Sequence, residues 1–281
     1  MNSTDENLPN LRAFLDRIGF RGVARPDLAT LCELQRSHVY TVSFENLDVQ
    51  LRRPVGLDLE RCFDKIVNKR RGGWCYELNG VFGWALQEIG FNVMRVSAGV
   101  MRERAGDEQL GNHLCLLVQL EQDYLVDVGF GGSLSRPLPL REATHDQSPY
   151  RITLSKTNDN YWRFSELARG APFSFDFRSE VADEALLAEK CAMLQQSAES
   201  TFVQNLVVQK RTDDMHIALR GRVLTTLRAT GEERTILASA EELVSVLQNS
   251  FELNVPEVAA VWPAICARHD DVLTNQVKVS A

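Results

Sequence analysis

Nucleophilic and proton-transfer chemistry in this chain can be drawn from six cysteines and five histidines, and Cys75 stands apart among them. It lies in Arg71-Gly72-Gly73-Trp74-Cys75-Tyr76-Glu77-Leu78-Asn79. Two glycines ahead of an apolar-periodic run permit a tight backbone approach and leave the first N–H groups of a helix open toward whatever binds there. A thiol in that first turn sits at the positive end of the helix dipole, which favours the thiolate, the nucleophilic form. The expectation is an ionised and exposed sulfur. Cys62 and Cys115 lack this setting and are read as core residues.

A thiolate needs an imidazole to hold its charge and shuttle protons, and the imidazole needs a partner on its other nitrogen. His113 opens the apolar run Leu114–Leu120, and Asp127 closes the next one, Tyr124–Val128. A turn at Glu121-Gln122-Asp123 makes the two runs antiparallel neighbours, with His113 and Asp127 nearly level. A regular hairpin leaves them a few residues out of register, so twist or a bulge has to close the gap. A carboxylate flanked by Val126 and Val128 needs a partner, because an isolated buried charge is expensive, and His113 is the best candidate. His38, His145 and His269 lie in polar or poorly patterned surroundings, and His216 has only Asp213 and Asp214 near it in sequence. The trio Cys75, His113 and Asp127 therefore points to thiol-dependent acyl transfer or hydrolysis.

The formal charge of −7 argues against a nucleic-acid or anionic-membrane partner, which selects positive faces. No run approaches the roughly 20 apolar residues of a membrane span. Met1 to Asn10 lacks the pattern of a secretory signal. Scattered cysteines without a C-x-x-C pair fit reduced thiols in a cytoplasmic protein, and neither they nor the dispersed histidines suggest a metal.

The elements that must position the trio change character along the chain. Leu11, Phe14, Leu15 and Ile18, then Leu28, Leu31, Leu34 and Val39, recur at helical spacing, and the strongest helix runs from about Trp74 to Ile89, ended by Gly90. Beyond it come short strands around 93–100, 114–120, 124–128, 150–154, 161–164 and 172–177, and a helix over 183–196. Strands at 202–208, 216–219 and 223–227 follow. Ser239 with Glu242 caps a further helix, and Pro256 opens the last. The expected architecture is α+β: segment 1–90 helical and carrying the nucleophile, 91–198 an antiparallel β-barrel or curled sheet carrying His113 and Asp127, and 199–281 an α/β unit.

The Arg71–Asn79 segment resembles the active-site signature of the arylamine N-acetyltransferases. Phe44-Glu45-Asn46-Leu47-Asp48-Val49, His113 with its strand, Asp127-Val128-Gly129-Phe130-Gly131 and Ser200-Thr201-Phe202-Val203-Gln204-Asn205 match in the same order. Trp74, Ser43 and Asn112 depart from the usual pattern. The resemblance implies a helical bundle, a central barrel and a C-terminal lid around a cysteine-protease-like core. It further implies a ping-pong reaction through acetyl-Cys75, with acetyl-CoA as donor and arylamines, hydrazines or arylhydroxylamines as acceptors, and a place in xenobiotic metabolism. By the same carry-over Phe44, Phe130 and Phe202 are acceptor-pocket walls, Gly131 admits the pantetheine arm of CoA, and Glu45, Asp48 and Arg71 are structural ion-pair members. The rival readings are a papain- or transglutaminase-like thiol hydrolase and a non-catalytic CoA-binding module.

Overall fold

The computed structural model describes residues 8–167 and 172–279. Its helices are α1 (Leu11–Ile18), α2 (Leu28–Thr41), α3 (Leu47–Gln50), α4 (Leu59–Phe63), α5 (Cys75–Ile89), α6 (Arg102–Ala105), α7 (Glu184–Gln196), α8 (Thr201–Gln204), α9 (Ala240–Phe251) and α10 (Trp262–Val279). None is long and apolar enough to cross a membrane. The caps follow the sequence signals. Asn10, Asp27, Asp183 and Ser239 each accept a backbone N–H at a helix start, while Gly19 and Gly90 end α1 and α5 in the left-handed region.

Eight antiparallel strands form one sheet, in the order β5-β4-β3-β2-β9-β8-β7-β6. They are β2 (Asn92–Val100), β3 (Leu110–Gln119), β4 (Asp123–Val126), β5 (Leu138–Pro139), β6 (Ala143–Gln147), β7 (Tyr150–Lys156), β8 (Trp162–Leu167) and β9 (Phe173–Phe177). The expected barrel is a curled half-barrel, because β5 and β6 are its two edges and do not pair with each other. The second sheet runs β1-β10-β11-β12-β13, with β1 (Phe44–Glu45), β10 (Val207–Arg211), β11 (Met215–Arg220), β12 (Val223–Arg228) and β13 (Gly231–Ile236). Phe44 pairs with Gln209, so a strand of the N-terminal segment completes the C-terminal sheet. The strand expected over 202–208 begins only at Val207. Ser200 instead caps the short helix α8, which carries Phe202.

β3 is the hinge of the packing. Leu114, Leu116 and Val118 face the core shared with α1, α2 and α5, while Cys115 and Leu117 face the core of the half-barrel, as period-two alternation requires. His113 belongs by that parity to the half-barrel face. A third core lies between the second sheet and α9, built on Leu206, Val208, Leu219, Leu243, Leu247 and Phe251.

Candidate active site

The start of α5 is fixed by its own chain. A Cβ on Gly72 would lie 2.1 Å from the Ser43 carbonyl oxygen, and one on Gly73 would lie 2.8 Å from a Glu77 carboxylate oxygen. Gly73 also exchanges backbone hydrogen bonds with Ser43 and Glu45. The close approach anticipated for a ligand is thus made by β1 and its lead-in. Glu77 accepts the Trp74 N–H at 3.2 Å and pairs with Lys65, whose ammonium is also 2.9 Å from Asp48. Arg71 bridges Glu45 at 2.8 Å and Asp48 at 3.2 Å. Glu45, Asp48 and Arg71 are therefore ion-paired, as the sequence suggested, and Lys65 and Glu77 complete the buried network beneath the helix start.

Strand pairing brings the second pair together. Leu116 lies opposite Val126, a register that sets His113 level with residue 129 rather than 127. β4 ends at Val126, and the chain turns there so that the Asp127 side chain folds back. His113 Nε2 and Asp127 Oδ2 are 2.7 Å apart, both residues buried. A bulge does occur, but between β2 and β3 at Ala98/Gly99. Nδ1 is the ring nitrogen left for Cys75, whose proximity favours the charged imidazole. Burial pushes the ring toward its neutral form, but the charge and hydrogen bond of Asp127, with the Cys75 contact, outweigh it and hold His113 well above its ordinary pKa. The trio is thus one connected array.

The expectation of an exposed sulfur is not met: Cys75 is 4 % exposed and His113 2 %. The turn after Asp127 lies on the helix start so closely that a Cβ on Gly129 would be 2.6 Å from Cys75 Cα and 2.6 Å from Asn79 Nδ2. A cavity of about 460 Å³ lies elsewhere, lined by Asp48, Lys65, Arg71 and Glu77 among others. Of the remaining cysteines, burial raises the thiols of Cys62 and Cys115 far from ionisation and pushes Cys191 up to about 12.

The three phenylalanines fall into two groups. Phe130 stands edge-on to the His113 ring at 5.2 Å and stacks on Phe173 at 5.1 Å. Phe44 and Phe202 lie 6.3 Å apart, and Phe202 meets Trp74 edge-on at 5.4 Å. Phe173 escaped the sequence reading, although its neighbour in the stack, Phe130, did not. Gly131 has φ of 69°, and a Cβ there would lie 2.1 Å from Gln209 Oε1, so backbone conformation and Gln209 already demand glycine.

Other residues the sequence left without a role hold this loop. Asn79, one helical turn beyond Cys75, donates to Asp127 Oδ1 at 2.8 Å and to the Leu114 carbonyl at 2.7 Å, and accepts the Val128 N–H at 2.9 Å. Its four-residue spacing from the thiol was the available signal. His216, far from being served by Asp213 and Asp214, faces the Tyr150 hydroxyl at 2.9 Å and the Gly131 carbonyl at 2.6 Å. Arg211 donates to the Gly132, Ser133, Gln147 and Ser148 carbonyls. The His216 and Arg211 contacts span some sixty residues or more of chain, which no local pattern reveals. His38 is likewise fully buried, between Phe14 and Phe82, instead of in polar surroundings.

Burial lowers His216 to about 4 and His38 to about 3. The unfolded chain therefore takes up protons first as pH falls below 6.5, and stability drops until the folded pKa values are passed. Unfolding temperature is expected to fall steeply between pH 6.5 and 4, and His216→Gln is expected to flatten that fall. An unchanged slope in the variant would exclude His216 as a contributor.

Comparison with known proteins bears on the family of the chain. The family model described as N-acetyltransferase matches residues 27–260. The arylamine N-acetyltransferase of Mycolicibacterium smegmatis is 35 % identical over 262 residues, covering 89 % of this chain and 94 % of that protein. The structure of the Mycobacterium marinum arylamine N-acetyltransferase superposes with a TM-score of 0.84 at 32 % identity, covering 94 % of this chain and 99 % of the other. That protein in complex with CoA superposes with a TM-score of 0.83 at 32 % identity and the same coverage. Likeness of this extent, in sequence and in fold together, shows that the chain belongs to the arylamine N-acetyltransferase family.

Proposed function

We propose that this enzyme transfers the acetyl group of acetyl-CoA to arylamines, hydrazines and arylhydroxylamines through an acetyl-Cys75 intermediate. The observation that carries the mechanism is the 2.7 Å contact between His113 and Asp127 on an imidazole whose other nitrogen serves Cys75. The Cys75 thiolate attacks the thioester carbonyl, and the tetrahedral intermediate expels CoA, whose sulfur takes the proton from the His113 imidazolium. The acceptor amine then attacks acetyl-Cys75, gives its proton to His113, and the Cys75 thiolate leaves. Asp127 holds the ring tautomer and favours its cationic form. The CoA complex of the Mycobacterium marinum relative supports CoA as the carrier.

On this reading Phe44, Phe130 and Phe202 wall the acceptor pocket, where offset stacking contributes ~1 kcal/mol per ring pair, and the pantetheine arm passes Gly131. Segments 1–90, 91–198 and 199–281 act as a nucleophile-bearing helical domain, a β domain and a lid, about a cysteine-protease-like core. The enzyme works in the cytoplasm, in xenobiotic metabolism.

Intact-protein mass spectrometry after mixing with acetyl-CoA is expected to show a gain of one acetyl group, mapped to Cys75 and absent from Cys75→Ser. An aryl amine should discharge it with formation of the N-acetyl product. Rapid release of acetate without an amine would make the protein a thiol hydrolase. No labelling, with no preference of iodoacetamide for Cys75, would make it a binding module.

A further inference from the structure

Asn79 is fully buried, and each polar atom of its side chain is committed to the machinery around Cys75. Its Oδ1 accepts the Val128 N–H, which leaves Nδ2 to donate both to Asp127 Oδ1 and to the carbonyl of Leu114, the residue after His113. The residue is carried by the same helix as the nucleophile, one turn on. One amide thus ties the helix bearing Cys75 to the strand bearing His113 and to the carboxylate that orients the imidazole. Asp127 Oδ1 also accepts the Gly129 N–H at 2.7 Å, so Oδ2 alone is left to face His113.

We infer that Asn79 is a positioning residue of the acetyl transfer: by donating to Asp127 Oδ1 it fixes the carboxylate whose other oxygen holds the His113–Cys75 pair. The inference rests on the acetyl-Cys75 reading for its consequence in turnover, but the reactivity of the thiol tests it without acetyl-CoA.

Two variants separate positioning from simple packing. Asn79→Ala removes the donor at every pH. Asn79→Asp keeps the shape and, when protonated, still donates to Asp127 Oδ1. Burial beside a second carboxylate raises the pKa of the introduced acid. Below that pKa its single O–H replaces the bond to Asp127, though not the one to the Leu114 carbonyl; above it, it loses the donor and repels Asp127. The other titratable groups around Asp127 are His113, Cys75, Cys115 and, from β8, Glu166, whose carboxyl burial pushes up to about 8. Both variants keep these groups, so the difference between their pH profiles isolates the substituted position.

The experiment measures, from pH 5.5 to 8.5, the rate of Cys75 alkylation by iodoacetamide and of its acetylation by acetyl-CoA, with thermal unfolding alongside. Loss of one charge-assisted hydrogen bond sets the expected size: Asn79→Ala slows both reactions about thirty-fold across the range. Asn79→Asp recovers most of that loss at the acid end and forfeits it as pH rises. If Asn79→Ala stays within threefold of wild type, or if Asn79→Asp follows wild type or Asn79→Ala in parallel at every pH, the inference is overturned. Should the alanine variant not fold, the slope of the aspartate profile against wild type decides. Wild-type protein that alkylates selectively at Cys75 yet gains no acetyl group would sink the acetyl-transfer reading alone.

Discussion

Asp127→Asn is expected to leave the protein folded and to slow acetylation of Cys75 by a factor on the order of 10³–10⁴, the size of effect known when the acid behind a catalytic imidazole becomes an amide. The direction follows from the two donors already on Asp127 Oδ1, Asn79 Nδ2 and the Gly129 N–H. In the variant they require the amide oxygen at that position, so the new NH₂ points at His113 Nε2. The ring must then accept there and carry its proton on Nδ1, the nitrogen that serves Cys75. That tautomer has no lone pair for the thiol proton, and the imidazolium would set two N–H groups against each other. Time-resolved intact-mass measurement checks the rate and circular dichroism the fold. A rate within tenfold of wild type would make Asp127 merely structural.

The second large effect is on stability. Lys65 is buried among three carboxylates, at 2.9 Å from Asp48, 2.9 Å from Glu77 and 4.0 Å from Glu45. Removing one partner of a buried ionic cluster typically costs about 3–5 kcal/mol, because the charges left behind are uncompensated. In a chain of this size that lowers the unfolding temperature of Lys65→Met by roughly 10 °C. Burial already raises the Glu77 carboxyl against the pull of Lys65, and losing the ammonium raises it further. The unfolded chain then ionises first as pH rises above 4.5, so the deficit is smallest near that pH and grows toward neutrality. Lys65→Met/Glu77→Gln should regain part of the loss, since one stranded charge is gone. A shift below about 3 °C at pH 7, in calorimetry, would show that the network contributes less than its burial implies.

Much of the helical and strand order was legible because it depends on neighbours in sequence: the helical spacing of the first two helices, the cap at Ser239, the glycine stop at 90, and the apolar run of β3. The failures have a common cause. Phe202 reads as a strand residue by composition, but Ser200 caps a helical turn there, accepting the Phe202 N–H, and the Gln204 and Asn205 N–H groups bond back to the Ser200 and Thr201 carbonyls. The run of short strands is compatible with a barrel or a curled sheet; closure depends on whether β5 and β6 meet, and their sequences say nothing about that.

By itself the sequence singled out the residues proposed to do the chemistry. A thiol at a helix start, an imidazole at a strand end and a carboxylate in an apolar run are local facts, and local fields and burial costs give them meaning. Only the tertiary structure decided how they meet. The return of Asp127 beyond the end of β4, the burial of Cys75 beneath the turn at Gly129, and the ties from Asn79, Arg211 and His216 all join segments distant in the chain. Such contacts form only once several cores have packed, because the entropy of bringing distant segments together is offset by the whole fold and by no single stretch of it.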